Sequence, residues 1–366
     1  MDLAGFDYHL PEALIAQEAL ADRAGARMLV VYREQGRWED RTFREFPGFL
    51  GVGDCLVLND SRVFPARLFG RRAGVASLPI GTHNPKRLEN LSGQVEVFLL
   101  RPVSADGRDW EALVRPGRKM RVGERVIFEG GLVAEIVARG EFGERTVRFR
   151  GEWAKPPGLS AAGLSAAGLF ERFEQIGHVP LPPYIKRSDE ARDRERYQTV
   201  FARERGSVAA PTAGLHFTGE VLDACRARGA EVACVTLHVG LGTFQPLHEE
   251  QVENATLHAE RYNIPEESAA KIRSARRVVA VGTTSVRTVE SAWRDGVLSG
   301  ETDIFIYPGI PFRRVGAMLT NFHLPRTSLL LLVCALAGKE LTLAAYRHAV
   351  EREYRFYSYG DCMLIV

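Results

Sequence analysis

The chain has 366 residues, 45% hydrophobic and 26% charged, with 48 Lys and Arg against 46 Asp and Glu for a formal net charge of +2. Such a composition belongs to a globular protein long enough for two domains, and its near-neutrality excludes a molecule that grips nucleic acid over its whole surface. Five cysteines (Cys55, Cys225, Cys234, Cys334 and Cys362) stand far apart without CxxC spacing, which argues against a zinc site and a disulfide framework and for reduced thiols.

No apolar signal core opens the sequence, so a cytoplasmic location is expected. Tyr8-His9-Leu10-Pro11 leads into a short helical pattern. RMLVVY (Arg27 to Tyr32) and CLVLN (Cys55 to Asn59) read as strands, the second after the turn Gly51-Val52-Gly53-Asp54. From Ser61 to Gly151 the helical period vanishes. ARLFGR, QVEVFLLRP, WEALVRP, ERVIFE, VAEIVAR and RTVRFR follow one another between Gly-containing turns, the pattern of a small closed or nearly closed barrel. Strands alternate with helices on both sides of it. The expected fold is therefore a discontinuous α/β domain, residues 1–60 and 152–366, carrying an inserted small antiparallel β-barrel, residues 61–151.

Two stretches stand apart, a polar, Pro-containing loop from Ala73 to Gly93 and the Ala/Gly-rich Pro156 to Phe170, a lengthened crossover helix or loop. SDEARDRER (Ser188 to Arg196) alternates charge as a solvated helix would. Leu329 to Ala337 is the longest apolar run, far short of the roughly 20 residues that span a membrane, and reads as a buried element. In VACVTLHVG, Thr236 and His238 share a strand face; RRVVAVGTTSVRTVESAW reads as strand, turn and helix, and AMLTNFHLP as strand and loop.

Four stretches are rich in small residues and end in polar groups: GSVAAPTAGLHFT (Gly206 to Thr218), TLHVGLGTF (Thr236 to Phe244), AVGTTSVR (Ala280 to Arg287) and TNFHLPRTS (Thr320 to Ser328). Gly, Ala and Pro in such density mark backbone brought close to something, either a ligand or a tight buried turn. In open α/β sheets ligands sit beyond the carboxyl ends of the strands, where His238, the Gly282–Arg287 turn and Asn321–His323 all fall. Thr283, Thr284 and Ser285 are candidate helix caps, and free N–H groups there favour an anion. Gly240-Leu241-Gly242-Thr243-Phe244 lacks the spacing and the acidic residue of a dinucleotide fingerprint. It reads instead as close backbone approach with Phe244 free to stack on a base. His216, His238 and His323 recur at loop ends, and no two share a helix at metal-binding spacing.

Charge is distributed unevenly. Ser61 to Gly151 holds 17 Lys and Arg against 10 Asp and Glu, a balance of +7, leaving −5 for the rest. Arg62, Arg67, Arg71 and Arg72 form one cluster, and Arg115, Arg118, Lys119 and Arg121 another. A basic barrel on an acidic body points to nucleic acid.

Together with SRVFPARL (Ser61 to Leu68), GHVPLPPYI (Gly177 to Ile185) and YRFYSYGD (Tyr354 to Asp361), these strings resemble, in order from about Phe6 to Ile365, the S-adenosylmethionine:tRNA ribosyltransferase-isomerase family of queuosine biosynthesis. The resemblance implies that S-adenosylmethionine is consumed as ribosyl donor, without metal or other cofactor. The acceptor would be 7-aminomethyl-7-deazaguanine at the wobble position of a tRNA with a GUN-type anticodon, and the products epoxyqueuosine, adenine and methionine. It further implies a cytoplasmic monomer without a membrane partner. Proton transfer is expected of His216, His238 and His323. Contacts to S-adenosylmethionine are expected from Thr212, Gly214, Thr218, Gly240, Gly242, Phe244, Thr283, Thr284, Ser285 and Asn321, with Arg287 on the methionine carboxylate. Arg62, Arg67, Arg115, Arg118, Lys119 and Arg121 are expected to hold tRNA. Two other readings stay open, a conventional methyltransferase using the same cofactor and a non-catalytic RNA-binding protein.

Overall fold

Runs such as RMLVVY, CLVLN and RVVAV are apolar at nearly every position, and strands of that kind are stable only where both faces are covered. The computed structural model describes residues 3–73, 93–140, 143–150, 166–240, 247 and 256–366. Its strands begin with β1 (Arg27–Tyr32), β2 (Arg37–Thr42), β3 (Asp54–Asn59) and β4 (Ser61–Val63). Then come β5 (Arg67–Arg72), β6 (Gln94–Pro102), β7 (Asp109–Arg115), β8 (Arg125–Phe128), β9 (Val133–Arg139) and β10 (Glu144–Arg150). The last are β11 (Glu204–Ser207), β12 (Glu231–Leu237), β13 (Thr256–Asn263), β14 (Arg277–Val281), β15 (Ser299–Ile304), β16 (Val315–Asn321) and β17 (Cys362–Ile365). The helices are α1 (Ala166–Ile176), α2 (Asp193–Arg196), α3 (Gly219–Ala227), α4 (Glu266–Ser274), α5 (Gly282–Asp295), α6 (Ser328–Ala337) and α7 (Lys339–Glu351). The chain divides into two compact units, Met1–Val63 with Leu181–Val366, and Phe64–Pro180.

In the first unit nine of these strands form one mixed sheet in the order β15-β13-β12-β3-β14-β16-β17-β1-β2. The centre is parallel: β3 lies between β12 and β14, and β14 pairs with β16. Alternate residues of each central strand serve opposite faces. Met28, Val30, Leu56, Leu58, Val279 and Val281 pack against Phe43, Phe46 and Phe217 and against Val221, Leu222 and Cys225 of α3. Leu29, Val31, Cys55, Val57, Val278 and Ala280 pack against α4, α5, α6 and α7 through Ile272, Val286, Val289, Leu331 and Tyr346. The apolar run around Leu329 is thus the buried helix α6. No single helix among the described residues is long and apolar enough to cross a membrane.

The second unit carries the closed barrel β10-β7-β6-β5-β8-β9, antiparallel throughout. Its strands match the six β-rich runs one by one. Inward positions such as Leu68, Val97, Trp110, Val126, Ile136 and Phe149 are buried. Helix α1 belongs with them, because Phe173 lies 5.4 Å from Trp110 and 5.1 Å from Phe149 between ring centroids. The stretches 73–93 and 156–170 lie mostly outside the described residues.

The charged stretch Ser188 to Arg196 departs from expectation. Only Asp193–Arg196 is helical, and Asp193 is buried, its carboxylate accepting from Arg187 Nη1 at 2.6 Å, Arg187 Nη2 at 2.8 Å and Tyr359 Oη at 3.1 Å. Charge alternation alone does not reveal that one of its acids has a buried partner.

Helix α5 is buried on every side from Gly282 to Ala292, so its polar side chains need internal partners. Glu290, fully buried, accepts the backbone N–H groups of Arg313, Arg314 and Val315 at 2.6, 2.9 and 2.8 Å. The contact ties α5 to the start of β16, and a cleft lies where α5 begins and β16 ends. Glu290→Ala strands three backbone donors, and we expect it to lower unfolding free energy by about 3 kcal/mol; an unchanged urea midpoint would contradict this role.

Candidate active site

The carboxyl ends of β14 and β16 open into a narrow cleft that is partly open to solvent. Its walls are the Pro211-Thr212-Ala213 turn, Gly282, Thr283 and Thr284 at the start of α5, Thr320 to Leu324 after β16, and Tyr184, Tyr357 and Ser358. Sequence reasoning nominated Thr212, Thr283, Thr284, Asn321 and His323 among these. It missed Tyr184, Thr320, Tyr357 and Ser358, although GHVPLPPYI and YRFYSYGD contain three of them.

Helix α5 begins at Gly282, whose φ of 83° favours glycine, and no side chain caps it. Thr283, Thr284 and Ser285 therefore lie in the first turn and are not caps. Ser285 Oγ donates back to Val281 O at 2.7 Å, whereas Thr284 Oγ1 is buried without a hydrogen-bond partner among the described residues. Free backbone N–H groups at a helix start carry partial positive charge, so this edge of the cleft favours an anion.

Asn321, buried at the end of β16, donates Nδ2–H to Tyr357 O at 2.8 Å. Its Oδ1 therefore faces His216 Nε2, 3.1 Å away. A carbonyl-type oxygen only accepts, so Nε2 carries the proton and Nδ1 of the neutral ring is the basic nitrogen. Burial pushes His216 down to about 4, against which the Asn321 contact pulls weakly upward. His216 does not itself line the cleft. Its ring lies 5.4 Å from Phe43, behind Asn321.

His323 does line the cleft. Its Nε2 is 2.8 Å from Thr320 Oγ1, its backbone N–H donates to Tyr346 Oη at 3.2 Å, and its carbonyl accepts from Tyr8 Oη. Burial pushes it down to about 3. His238 sits elsewhere. It follows the end of β12, its ring lies over Gly206, and its buried Nδ1 has no hydrogen-bond partner among the described residues. Burial lowers its pKa, assisted by Arg261. Its neighbour Val239 lines the cleft.

Other nominated residues have structural partners. Arg287 points away from the cleft and forms a buried ion pair with Glu260, with a further contact to Ile304 O at 3.3 Å. Its guanidinium is taken up there, which corrects the expectation that it seats a carboxylate; position 287 shares a helix face with 283 and 284 but lies a turn deeper, where Glu260 meets it. Glu260, unmarked by any local pattern, also accepts from Gly240 N at 2.8 Å. Thr218 caps α3, accepting from Val221 N at 3.3 Å. Gly214 is buried, and a Cβ there would meet Phe201 and Thr199 at 2.8 Å. Gly242 and Phe244 lie outside the described residues. Among the described residues no three His, Cys, Asp or Glu side chains group as metal ligands would.

In the barrel, most outward arginines are paired across strands: Arg67 with Glu96 at 2.8 Å, Arg101 with Glu111 at 2.6 Å, and Arg148 with Asp109 at 2.6 Å. Arg72 is paired with Glu124. Arg115, which ends β7, and Arg118, Lys119 and Arg121, on the turn that follows it, are exposed and have no ion-pair partner among the described residues. Arg62 is exposed on β4, in the first unit.

The buried histidines make stability depend on pH. The unfolded chain takes up protons on them below about 6.5, whereas the native rings resist until about 4 and about 3. Unfolding therefore binds protons in that window, and stability falls as pH falls through it. Urea midpoints should drop between about pH 7 and about pH 5, and replacing His216 and His323 with Gln should flatten that drop; an equally steep drop in the double variant would assign it to other groups.

A family model described as "Queuosine biosynthesis protein" matches residues 3–365. The chain is 73% identical over 366 residues to the S-adenosylmethionine:tRNA ribosyltransferase-isomerase of Solibacter usitatus, with all of both chains covered. It is 47% identical over 376 residues to the protein of that name in Symbiobacterium thermophilum, again with full coverage of both. The crystal structure of an S-adenosylmethionine tRNA ribosyltransferase from Thermotoga maritima matches with a TM-score of 0.53 at 35% identity, covering 99% of this chain and 100% of that one. With the family pattern running the length of the chain and the barrel-bearing α/β fold beneath it, this chain belongs to the queuosine biosynthesis protein family, that of the S-adenosylmethionine:tRNA ribosyltransferase-isomerases.

Proposed function

We propose that this protein transfers and isomerises the ribosyl group of S-adenosylmethionine onto 7-aminomethyl-7-deazaguanine at the wobble position of a GUN-anticodon tRNA, acting as a cytoplasmic monomer. The observation that carries the reading is the composition of the cleft. It has small residues at Ala210, Ala213 and Gly282, an uncapped helix start beside Thr284, and one neutral histidine in its wall. The methionine carboxylate sits at the start of α5, where backbone N–H groups and the free Thr284 hydroxyl receive it. Arg287 acts indirectly, holding α5 and Gly240 together through Glu260.

The sulfonium acidifies the neighbouring 5′ carbon. A base removes a proton there, the electron pair flows into the ribose, and adenine departs with the electrons of its glycosidic bond and takes up a proton. The neutral aminomethyl group then attacks and gives up a proton, and closure of the epoxide expels methionine with the electrons of the carbon–sulfur bond. This sequence requires no metal or redox cofactor. Burial keeps His323 neutral, the state in which an imidazole accepts a proton. His216 acts through Asn321.

The decisive experiment mixes the protein with S-adenosylmethionine and a tRNA bearing the aminomethyl base. Free adenine and methionine should appear together; S-adenosylhomocysteine instead would mean methyl transfer, and no turnover with tight RNA binding would mean a binding protein. His323→Gln should reduce adenine release by roughly two to four orders of magnitude while changing cofactor affinity far less.

The exposed turn Arg115 to Arg121 is the tRNA contact in this reading, since its charges alone among the nominated barrel groups lack carboxylate partners among the described residues. Replacing Arg118, Lys119 and Arg121 together with Ala should weaken tRNA binding and reduce the slope of log affinity against log salt by about two to three. Binding of S-adenosylmethionine should be unaltered. An unchanged salt slope would move the RNA elsewhere.

A further inference from the structure

Tyr357 is one of three residues other than glycine with positive φ among the described residues, at 74°. Side chains bearing a Cβ avoid that region, and residues held there cluster at functional sites. Three backbone contacts keep it in place. Its N–H donates to Phe322 O at 3.2 Å, and its carbonyl accepts from Asn321 Nδ2 at 2.8 Å and from Gly360 N at 2.9 Å. Glycine would satisfy the same backbone without strain, so the ring is what the position gains. That ring lines the cleft, partly buried, with its centroid 3.9 Å from that of Tyr184 and the planes 49° apart. The Tyr184 hydroxyl is held by Ser358 Oγ, which fixes the second ring. Tyr197, Tyr346, Tyr354 and Tyr359 are by contrast buried. The centroid spacing leaves no room for a ligand between the rings, so a flat group would stack from the cleft side that both rings line.

We propose that Tyr184 and Tyr357 form a stacking subsite for a purine-type base in this cleft. It rests on the ribosyl-transfer reading, which provides two such bases, the adenine of S-adenosylmethionine and the deazaguanine of tRNA. Both present the same flat π-face, and stacking on an aromatic side chain tolerates either.

Tyr357→Gly removes the ring and suits the backbone, while Tyr357→Phe keeps the ring. Affinity for S-adenosylmethionine is measured by calorimetry without tRNA, and kcat/KM for tRNA at saturating S-adenosylmethionine. The glycine variant should lose roughly tenfold or more in one of these, and the phenylalanine variant should retain most of both. Loss of cofactor affinity assigns the subsite to adenine. Loss confined to the tRNA arm assigns it to the target base. A glycine variant unchanged in both, or a phenylalanine variant as impaired as the glycine one, overturns the subsite. Should the glycine variant fail to fold, Tyr184→Leu compared with Tyr184→Phe reads the same two quantities. Calorimetry with adenosine separates this proposal from the reaction: a wild type that makes no adenine but loses adenosine affinity on Tyr357→Gly would keep the subsite and discard ribosyl transfer.

Discussion

The cleft depends on one amide. Asn321 ends β16 and makes contacts in two directions, its oxygen toward His216 Nε2 and its nitrogen toward the carbonyls of Tyr357 and Ser358. An amide has distinct donor and acceptor ends, so one set of partners dictates the other. The two carbonyls fix the flip, and the flip fixes the histidine tautomer. The same contact helps hold Tyr357 in its left-handed conformation. A carboxylate at this position would repel both carbonyls, and an aliphatic side chain would leave two buried polar groups unsatisfied.

Burial does two jobs around that amide. It keeps His216 and His323 neutral, because an imidazolium loses more hydration than these walls restore. It also forces every polar group of α5 to find an internal partner. Thr288 returns to Thr284 O at 2.9 Å, Ser291 meets Thr302 Oγ1 at 2.5 Å, and Glu290 and Arg287 take backbone and carboxylate partners. Where satisfaction stops, at Thr284 Oγ1 and the uncapped start of the helix, the cleft begins. A buried hydroxyl without a partner is costly, and Thr284 Oγ1 bears that cost at the edge of the cleft.

Charge in the second unit is organised differently. Arginines on the barrel staves face acidic residues on neighbouring strands, and such exposed pairs contribute little to stability while neutralising the surface locally. Arg115, Arg118, Lys119 and Arg121 have no ion-pair partner among the described residues, because the nearby Glu96 and Glu124 are taken by Arg67 and Arg72, so their positive charge stays available to long-range attraction. Net charge over the barrel sequence therefore overstates how much of it is available, and the position of each arginine relative to the ladder decides.

Much of the fold was legible because local pattern and tertiary role coincide. The short apolar run CLVLN, bounded by turn residues, reads as a strand buried on both sides, the alternating runs between Leu68 and Phe149 read as staves with one face toward a barrel interior, and AVGTTSVR was readable as strand, turn and helix. Family strings identified the small-residue turns at Thr212, Thr283 and Asn321 that meet at the cleft. Side-chain direction was not legible. Arg287 sits a single helical turn from Thr283, yet it points to Glu260, a partner 27 positions away in sequence. His216, His238 and His323 look alike in their strings, but one lines the cleft, one stands behind Asn321 and one lies over Gly206. Tyr357 gave no local sign that its backbone is left-handed. These outcomes depend on which distant groups arrive beside each side chain once the sheet closes, and contacts of that range are set by packing and hydrogen-bond satisfaction, which no short stretch of sequence encodes.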